Sequence, residues 1–187
     1  MSADPLDGLS KKELLELLHE FEKAKQKFPS AVTYNNCGVV LVKLGRFKEG
    51  LECYKKAVEL DPKFEKAYFN LGKAYQKMDE HNKAIEYYKK AVELNPKNVS
   101  AWNNIGVALR ATGRAKESLE YYDKAISIKP YYEWAWTNKA YAFMALGKLD
   151  KAAECCVTAL KINPNFQAAI NCRSELVKRG FEKYFKE

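Results

Sequence analysis

VSAWNNIGVALRATGRAKESLEYYDKAISIKP, residues 99–130, is the stretch that decides the fold. Its apolar residues recur at helical spacing: Trp102, Ile105 and Leu109 in the first half, Tyr122 and Ala125 in the second. Thr112-Gly113-Arg114 separates the halves, and a glycine there supplies the left-handed conformation that ends a helix. Pro130 cannot continue a helix and closes the second one. The stretch therefore predicts two helices joined by a tight turn.

The same stretch recurs on both sides. Leu-Asp-Pro at 60–62, Leu-Asn-Pro at 94–96, Ile-Lys-Pro at 128–130 and Ile-Asn-Pro at 162–164 place a proline every 34 residues. A fixed period of this length signals an array of supersecondary units stacked on one another. Counting from Ala31, Glu65, Val99 and Glu133, position 4 is a large aromatic residue (Tyr34, Tyr68, Trp102, Trp136). Position 8 is small (Gly38, Gly72, Gly106, Ala140), and so is position 20 (Gly50, Ala84, Ser118, Ala152). Position 24 is Tyr54, Tyr88, Tyr122 and Cys156, and position 27 is alanine throughout. A mid-helix glycine costs about 1 kcal/mol relative to alanine. Gly38, Gly72 and Gly106 make physical sense only where a neighbouring helix crosses closely. The dividing turns are Leu44-Gly45-Arg46, Met78-Asp79-Glu80, Thr112-Gly113-Arg114 and Leu146-Gly147-Lys148, in which Asp79 bears the left-handed conformation less easily than glycine.

Trp102-Asn103-Asn104-Ile105-Gly106 with Tyr122, Ala125 and Pro130, repeated in kind over 31–166, resembles the tetratricopeptide repeat (TPR). The resemblance implies an all-α, right-handed α-solenoid of helix–turn–helix repeats with a C-terminal capping helix. It implies repeats over 31–64, 65–98, 99–132 and 133–166, and a protein-binding scaffold with no catalytic role. Three departures stand out. Cys37 and Lys139 occupy a position where the family usually has leucine, and Cys156 replaces the tyrosine. Lys139 bears on packing in the fourth hairpin.

A stack of repeats needs covers at its ends. Residues 167–187 are read as a solvating helix, ended at Gly180, with a short aromatic tail of Phe181, Tyr184 and Phe185. At the other end, Ser10-Lys11-Lys12-Glu13 reads as a capping box. Residues 10–30 are then a truncated repeat or cap, its Leu17, Phe21 and Ala24 matching positions 20, 24 and 27, and residues 1–9 a loose tail.

Composition narrows the chemistry. The 187 residues are 47% apolar and 30% charged, a globular balance. No apolar run approaches the roughly 20 residues of a membrane helix. The N-terminus does not read as a signal peptide, and Cys37, Cys53, Cys155, Cys156 and Cys172 follow no disulfide framework. The expected location is the cytoplasm. His19 and His81 have no ligands at metal-site spacing, and no phosphate loop or nucleophile motif is present. No metal, cofactor or enzymatic activity is expected.

The resemblance implies that the first helices line a concave groove, with positions 2, 5, 6, 9, 12 and 13 facing it. Asn36, Asn70, Asn104 and Asn138 recur at position 6, with Asn35 and Asn103 beside two of them. A carboxamide both donates and accepts, so a row of them suits the main chain of an extended peptide. Lys43, Lys66, Lys73, Lys77 and Arg110 make the groove basic, while Phe69, Trp134, Tyr141 and Met144 supply apolar spots. The expected partner is an extended, acidic protein segment. The carboxylate clamp of the family's chaperone-tail binders is absent in either frame: the first gives Asn35, Val39, Asn70, Ser100 and Asn104, the second Phe69, Lys73, Asn104, Trp134 and Asn138. Homo-oligomerisation through the end caps or aromatic tail is a second expectation. Nucleic acid, drawn by the net charge of +8, ranks below both.

Overall fold

The computed structural model describes Leu6 and residues 8–185. Among them are ten α-helices and a closing 3-10 turn, with no strand. The chain forms two compact units, one ending at Leu94 and the other beginning at Asn95.

The first unit contains α1 (Lys11–Lys27), α2 (Ala31–Lys43), α3 (Phe47–Leu60), α4 (Glu65–Lys77) and α5 (His81–Leu94). α2 pairs with α3 and α4 with α5, while α4 also packs on α2 and α3. The capping box at the start of α1 is formed: Glu13 N donates to Ser10 Oγ, and Ser10 N donates to the Glu13 carboxylate at 2.7 Å. α1 packs on α2, burying Leu14 and Leu18 against Cys37, Val40, Leu41 and Cys53. Leu17 and Phe21 are only half-buried there, because no helix pairs with α1 as α2 pairs with α3. Of the tail expected over 1–9, positions 1–5 and 7 lie outside the described residues. Leu6 and Leu9 pack against the α1–α2 core.

Each hairpin turn closes with paired backbone bonds. Arg46 N donates to Leu41 O and Gly45 N to Val42 O, the arrangement that satisfies the last carbonyls of a helix. Glu80 and Asp79 repeat it on Tyr75 and Gln76. The turn requires a left-handed residue, and Asp79 takes it at φ 58° where other hairpins use glycine at 70° to 79°.

The small residues at position 8 have a specific neighbour. A Cβ on Gly72 would lie 2.5 Å from the Tyr88 ring, one on Gly38 2.6 Å from Tyr54, and one on Gly106 2.6 Å from Tyr122. The position-24 tyrosine thus lies flat against the glycine of its own hairpin. In the fourth hairpin both partners change together: Ala140 carries the Cβ, and the smaller Cys156 makes room for it.

The second unit contains α6 (Val99–Ala111), α7 (Ala115–Ile128), α8 (Glu133–Ala145), α9 (Leu149–Ile162), α10 (Gln167–Lys178) and the 3-10 turn Glu182–Phe185. The position-4 tryptophans tie first helices to the preceding prolines: Trp102 Nε1 donates to Pro96 O at 2.9 Å, and Trp136 Nε1 to Pro130 O at 2.8 Å. Lys139 is accommodated by aromatic rings and a counter-charge. Its ammonium stands 5.5 Å over the Trp136 ring and 5.8 Å over the Phe143 ring, and meets Asp123 of α7 at 2.5 Å. α10 covers α8 and α9, with Cys172 and Leu176 fully buried. The aromatic tail returns onto this core: Phe181, Tyr184 and Phe185 pack against it, and Tyr184 Oη donates to Asp150 at 2.7 Å. All five cysteines are buried and free.

Candidate functional site

In the first unit the asparagines of α2 and α4 form a relay. Asn70 Nδ2 donates to Asn35 Oδ1 at 2.8 Å, and Asn35 Nδ2 donates onward to Asn36 Oδ1 at 3.4 Å. The second unit repeats it on α6 and α8. Asn138 Nδ2 donates to Asn103 Oδ1 at 2.9 Å, and Asn103 Nδ2 to Asn104 Oδ1 at 3.3 Å.

This corrects one expectation. Asn35 and Asn103 do not line an open surface; they are 5% and 4% exposed. The first helix of the following repeat lies over each of them. A buried carboxamide must find partners inside the protein, and the position-6 asparagine of the next repeat supplies one. Asn36, Asn70, Asn104 and Asn138 remain half-exposed. The sequence carried a sign of this. The doublets Asn35-Asn36 and Asn103-Asn104 stand in alternate repeats, each followed one repeat later by a single asparagine.

The other expected site residues divide by unit. In the first, Lys66, Lys73 and Lys77 are exposed. The Lys73 ammonium stands 5.8 Å over the Phe69 ring, which tilts against Tyr88 at 5.7 Å. Tyr88 Oη donates to Gln76 Oε1 at 2.8 Å, so the residue at position 12 anchors the tyrosine at position 24. In the second unit Arg110 lies 5.8 Å over the Tyr141 ring, and Tyr141 Oη reaches Ala168 O at 3.4 Å. Trp134 packs edge-on against Phe166 at 4.7 Å, with its Nε1 buried and without a partner. It serves as a brace between α8 and the start of α10 more than as an open spot.

Tyr122 and Gln76 were not singled out as site residues from sequence. Tyr122 is fully buried, and burial pushes its phenol up to about 12, so it keeps its proton at neutral pH. Its hydroxyl faces Arg110 and Ser118. Among the described residues no group of His, Cys, Asp and Glu could hold a metal ion, and no helix is long and apolar enough to cross a membrane. A cleft of about 550 Å³ in the second unit lies between α9, α10 and the 3-10 turn, lined by Leu160, Lys161, Arg173, Tyr184 and Phe185 among others.

The comparisons agree with this architecture. A TPR repeat model matches residues 38–79, and a tetratricopeptide repeat model matches 65–98, 99–132 and 133–166. No curated protein matches the sequence. Among solved structures, the chain is similar to MamA at 27% identity and a TM-score of 0.76, covering 82% of this chain and 91% of that one. It is also similar to YrrB, described as a TPR protein with an unusual peptide-binding site. That match has 24% identity and a TM-score of 0.74, covering 87% of this chain and 84% of that one.

Proposed function

The chain belongs to the tetratricopeptide repeat family, and on that premise we propose that it is a non-catalytic protein-interaction scaffold whose first helices hold an extended, acidic peptide segment. The observation that carries the proposal is the asparagine relay. Asn70 and Asn138 each spend one N–H on a buried asparagine, which fixes the carboxamide. The oxygen and second N–H of each are then preorganised for a peptide main chain, and little rotamer entropy is lost on binding. Lys66, Lys73, Lys77 and Arg110 supply positive charge on the same helices, and Phe69 and Tyr141 supply apolar contact. Asn36 and Asn104 add a further carboxamide in each unit, and the partner is a protein in a reducing, cytoplasmic setting.

The relay also dictates the test. Asn70→Ala alone orphans the buried Asn35 oxygen, at about 1–3 kcal/mol. Removing both partners of each pair leaves no orphan. The informative variant is therefore Asn35, Asn70, Asn103 and Asn138→Ala together. Pull-down from a cell extract identifies the ligand, and titration of the captured segment measures affinity. The expected result is helicity close to wild type and an affinity loss of roughly tenfold or more, from at least two lost hydrogen bonds. Unchanged affinity in a fully helical variant removes the asparagine row from the binding face.

YrrB's peptide-binding site favours the peptide reading by likeness of fold. Self-assembly through the aromatic tail is the weaker alternative, because Phe181, Tyr184 and Phe185 are already packed against their own core. Nucleic acid ranks last, since much of the positive charge stands on second helices, as at Lys55, Lys56, Lys89 and Lys90.

A further inference from the structure

Position 7 is apolar and fully buried in the first three repeats, as Cys37, Leu71 and Ile105, and basic in the fourth, as Lys139. Lys139 is met by Asp123, which stands at position 25 of the preceding repeat. The 34-residue period continues into α10, where position 7 is again basic, as Arg173. Position 25 of the repeat before it is Val157. At this junction the cation is kept and its carboxylate is replaced by an apolar side chain.

A second departure falls on the same cleft. Position 29 is Glu59 and Glu93 in the first two repeats, each paired with the lysine three residues earlier, Lys56 at 2.8 Å and Lys90 at 2.9 Å. In the fourth repeat it is Lys161, and the residue three before it is Thr158. Among the described residues neither Arg173 nor Lys161 has a hydrogen-bond or ion-pair partner. The neighbouring acids are engaged elsewhere: Glu175 pairs with Arg179 at 2.6 Å, and Asp150 accepts from Tyr184 at 2.7 Å.

Arg173 and Lys161 are exposed and both line the cleft of about 550 Å³ between α9, α10 and the 3-10 turn, so a ligand reaches them from solvent. Val157, Leu160 and Phe185 give the cleft an apolar wall, and no acid lines it. Its volume falls within the roughly 300–1,000 Å³ of ligand sites. Two unpaired cations beside an apolar wall complement an anion carried on an apolar body.

We propose that this cleft is a second binding site, for a peptide segment of a partner protein in which an Asp or Glu lies beside an apolar side chain. The carboxylate meets Arg173 as Asp123 meets Lys139, and the planar guanidinium fork matches it with two hydrogen bonds. Lys161 adds a second positive charge, and the apolar side chain rests on Val157, Leu160 and Phe185. None of these residues stands at a groove position, and the asparagine relay takes no part. The site is independent of whether the first helices bind peptide.

Methyl NMR of the whole protein reads the cleft directly, through Val157 and Leu160. Two pools of short acetylated and amidated peptides are titrated, with a fixed central Glu or a fixed central Gln, flanked on both sides by Leu, Ile, Phe or Tyr. The expected result is a saturable methyl shift with the Glu pool, at an affinity about tenfold higher than with the Gln pool, as charge-assisted hydrogen bonds allow. Arg173→Gln brings the ratio to about one. Val157→Asp, which gives Arg173 the carboxylate that Lys139 has, does the same when read at Leu160. The Asn35, Asn70, Asn103 and Asn138→Ala variant keeps the wild-type ratio, which separates the cleft from the first-helix row. The proposal is overturned by the absence of a saturable shift, by equal affinity for the two pools in wild type, or by a ratio that survives either cleft substitution. A ratio lost in the asparagine variant overturns it as well, by assigning the shift to the first helices. Displacement of the Glu pool by an equal concentration of single-stranded RNA overturns the peptide assignment in favour of nucleic acid.

Discussion

A glycine inside a helix is intelligible only through the atom it admits. At Gly72 that atom is Tyr88 Cδ1, 2.5 Å from where a Cβ would sit. Tyr88 is fully buried and hydrogen-bonded to Gln76, so the ring cannot swing away without losing both. Gly72→Ala is therefore expected to destabilise the protein by about 1–3 kcal/mol despite alanine's better helix propensity. Urea denaturation measures it; a stabilised variant would mean that the ring moves at little cost. The fourth hairpin shows the compatible pairing, Ala140 with Cys156, both fully buried. Gly72 is recognisable in the sequence as a small position, whereas the ring that fills its space is identified only by the packing.

Among the elements, the hairpin turns are alike in hydrogen bonding and unlike in strain. Gly45, Gly113 and Gly147 take the left-handed residue without penalty, and Asp79 takes it with a Cβ. Asp79→Gly is expected to stabilise the second hairpin by up to about 1 kcal/mol, the relief of left-handed strain offset in part by glycine's greater unfolded entropy. Thermal unfolding checks this, and a lowered Tm would show that the Asp79 side chain contributes more than its backbone costs. The fourth hairpin answers a concern the sequence raised. Lys139 stands at an apolar position, yet its ammonium sits over the Trp136 and Phe143 rings and pairs with Asp123, so the charge is met on every side.

For the whole molecule the relevant quantity is charge. The chain carries a formal +8, and the lysines expected at the binding face, Lys66, Lys73 and Lys77, are exposed. Exposed charges steer association and are screened by salt over a Debye length of about 8 Å at physiological ionic strength. For the proposed acidic partner, raising salt is expected to slow association several-fold while dissociation changes less. Stopped-flow binding at graded ionic strength measures both rates. Association insensitive to salt would mean that the acidic character of the ligand is wrong even if a peptide binds.

The repeat was legible because it is local and periodic: helical spacing, a turn glycine and a proline each state their reason within a few residues. The 34-residue period carried the hairpins, their turns and the helix that closes the array. It also placed the asparagines on the first helices. The sequence could not say that Asn35 and Asn103 would be buried, since burial depends on what the following repeat lays over them. Nor could it say that Asn70 and Asn138 would reach back to them, a bond between residues 35 apart. Arg110 reads in the sequence as one more cation; only the packed hairpin sets it beside the buried phenol of Tyr122. Periodicity determines which elements form, because backbone preference and apolar spacing act over one or two turns of chain. Which polar groups are satisfied depends on side chains brought together from different helices, and the tertiary structure alone decided that.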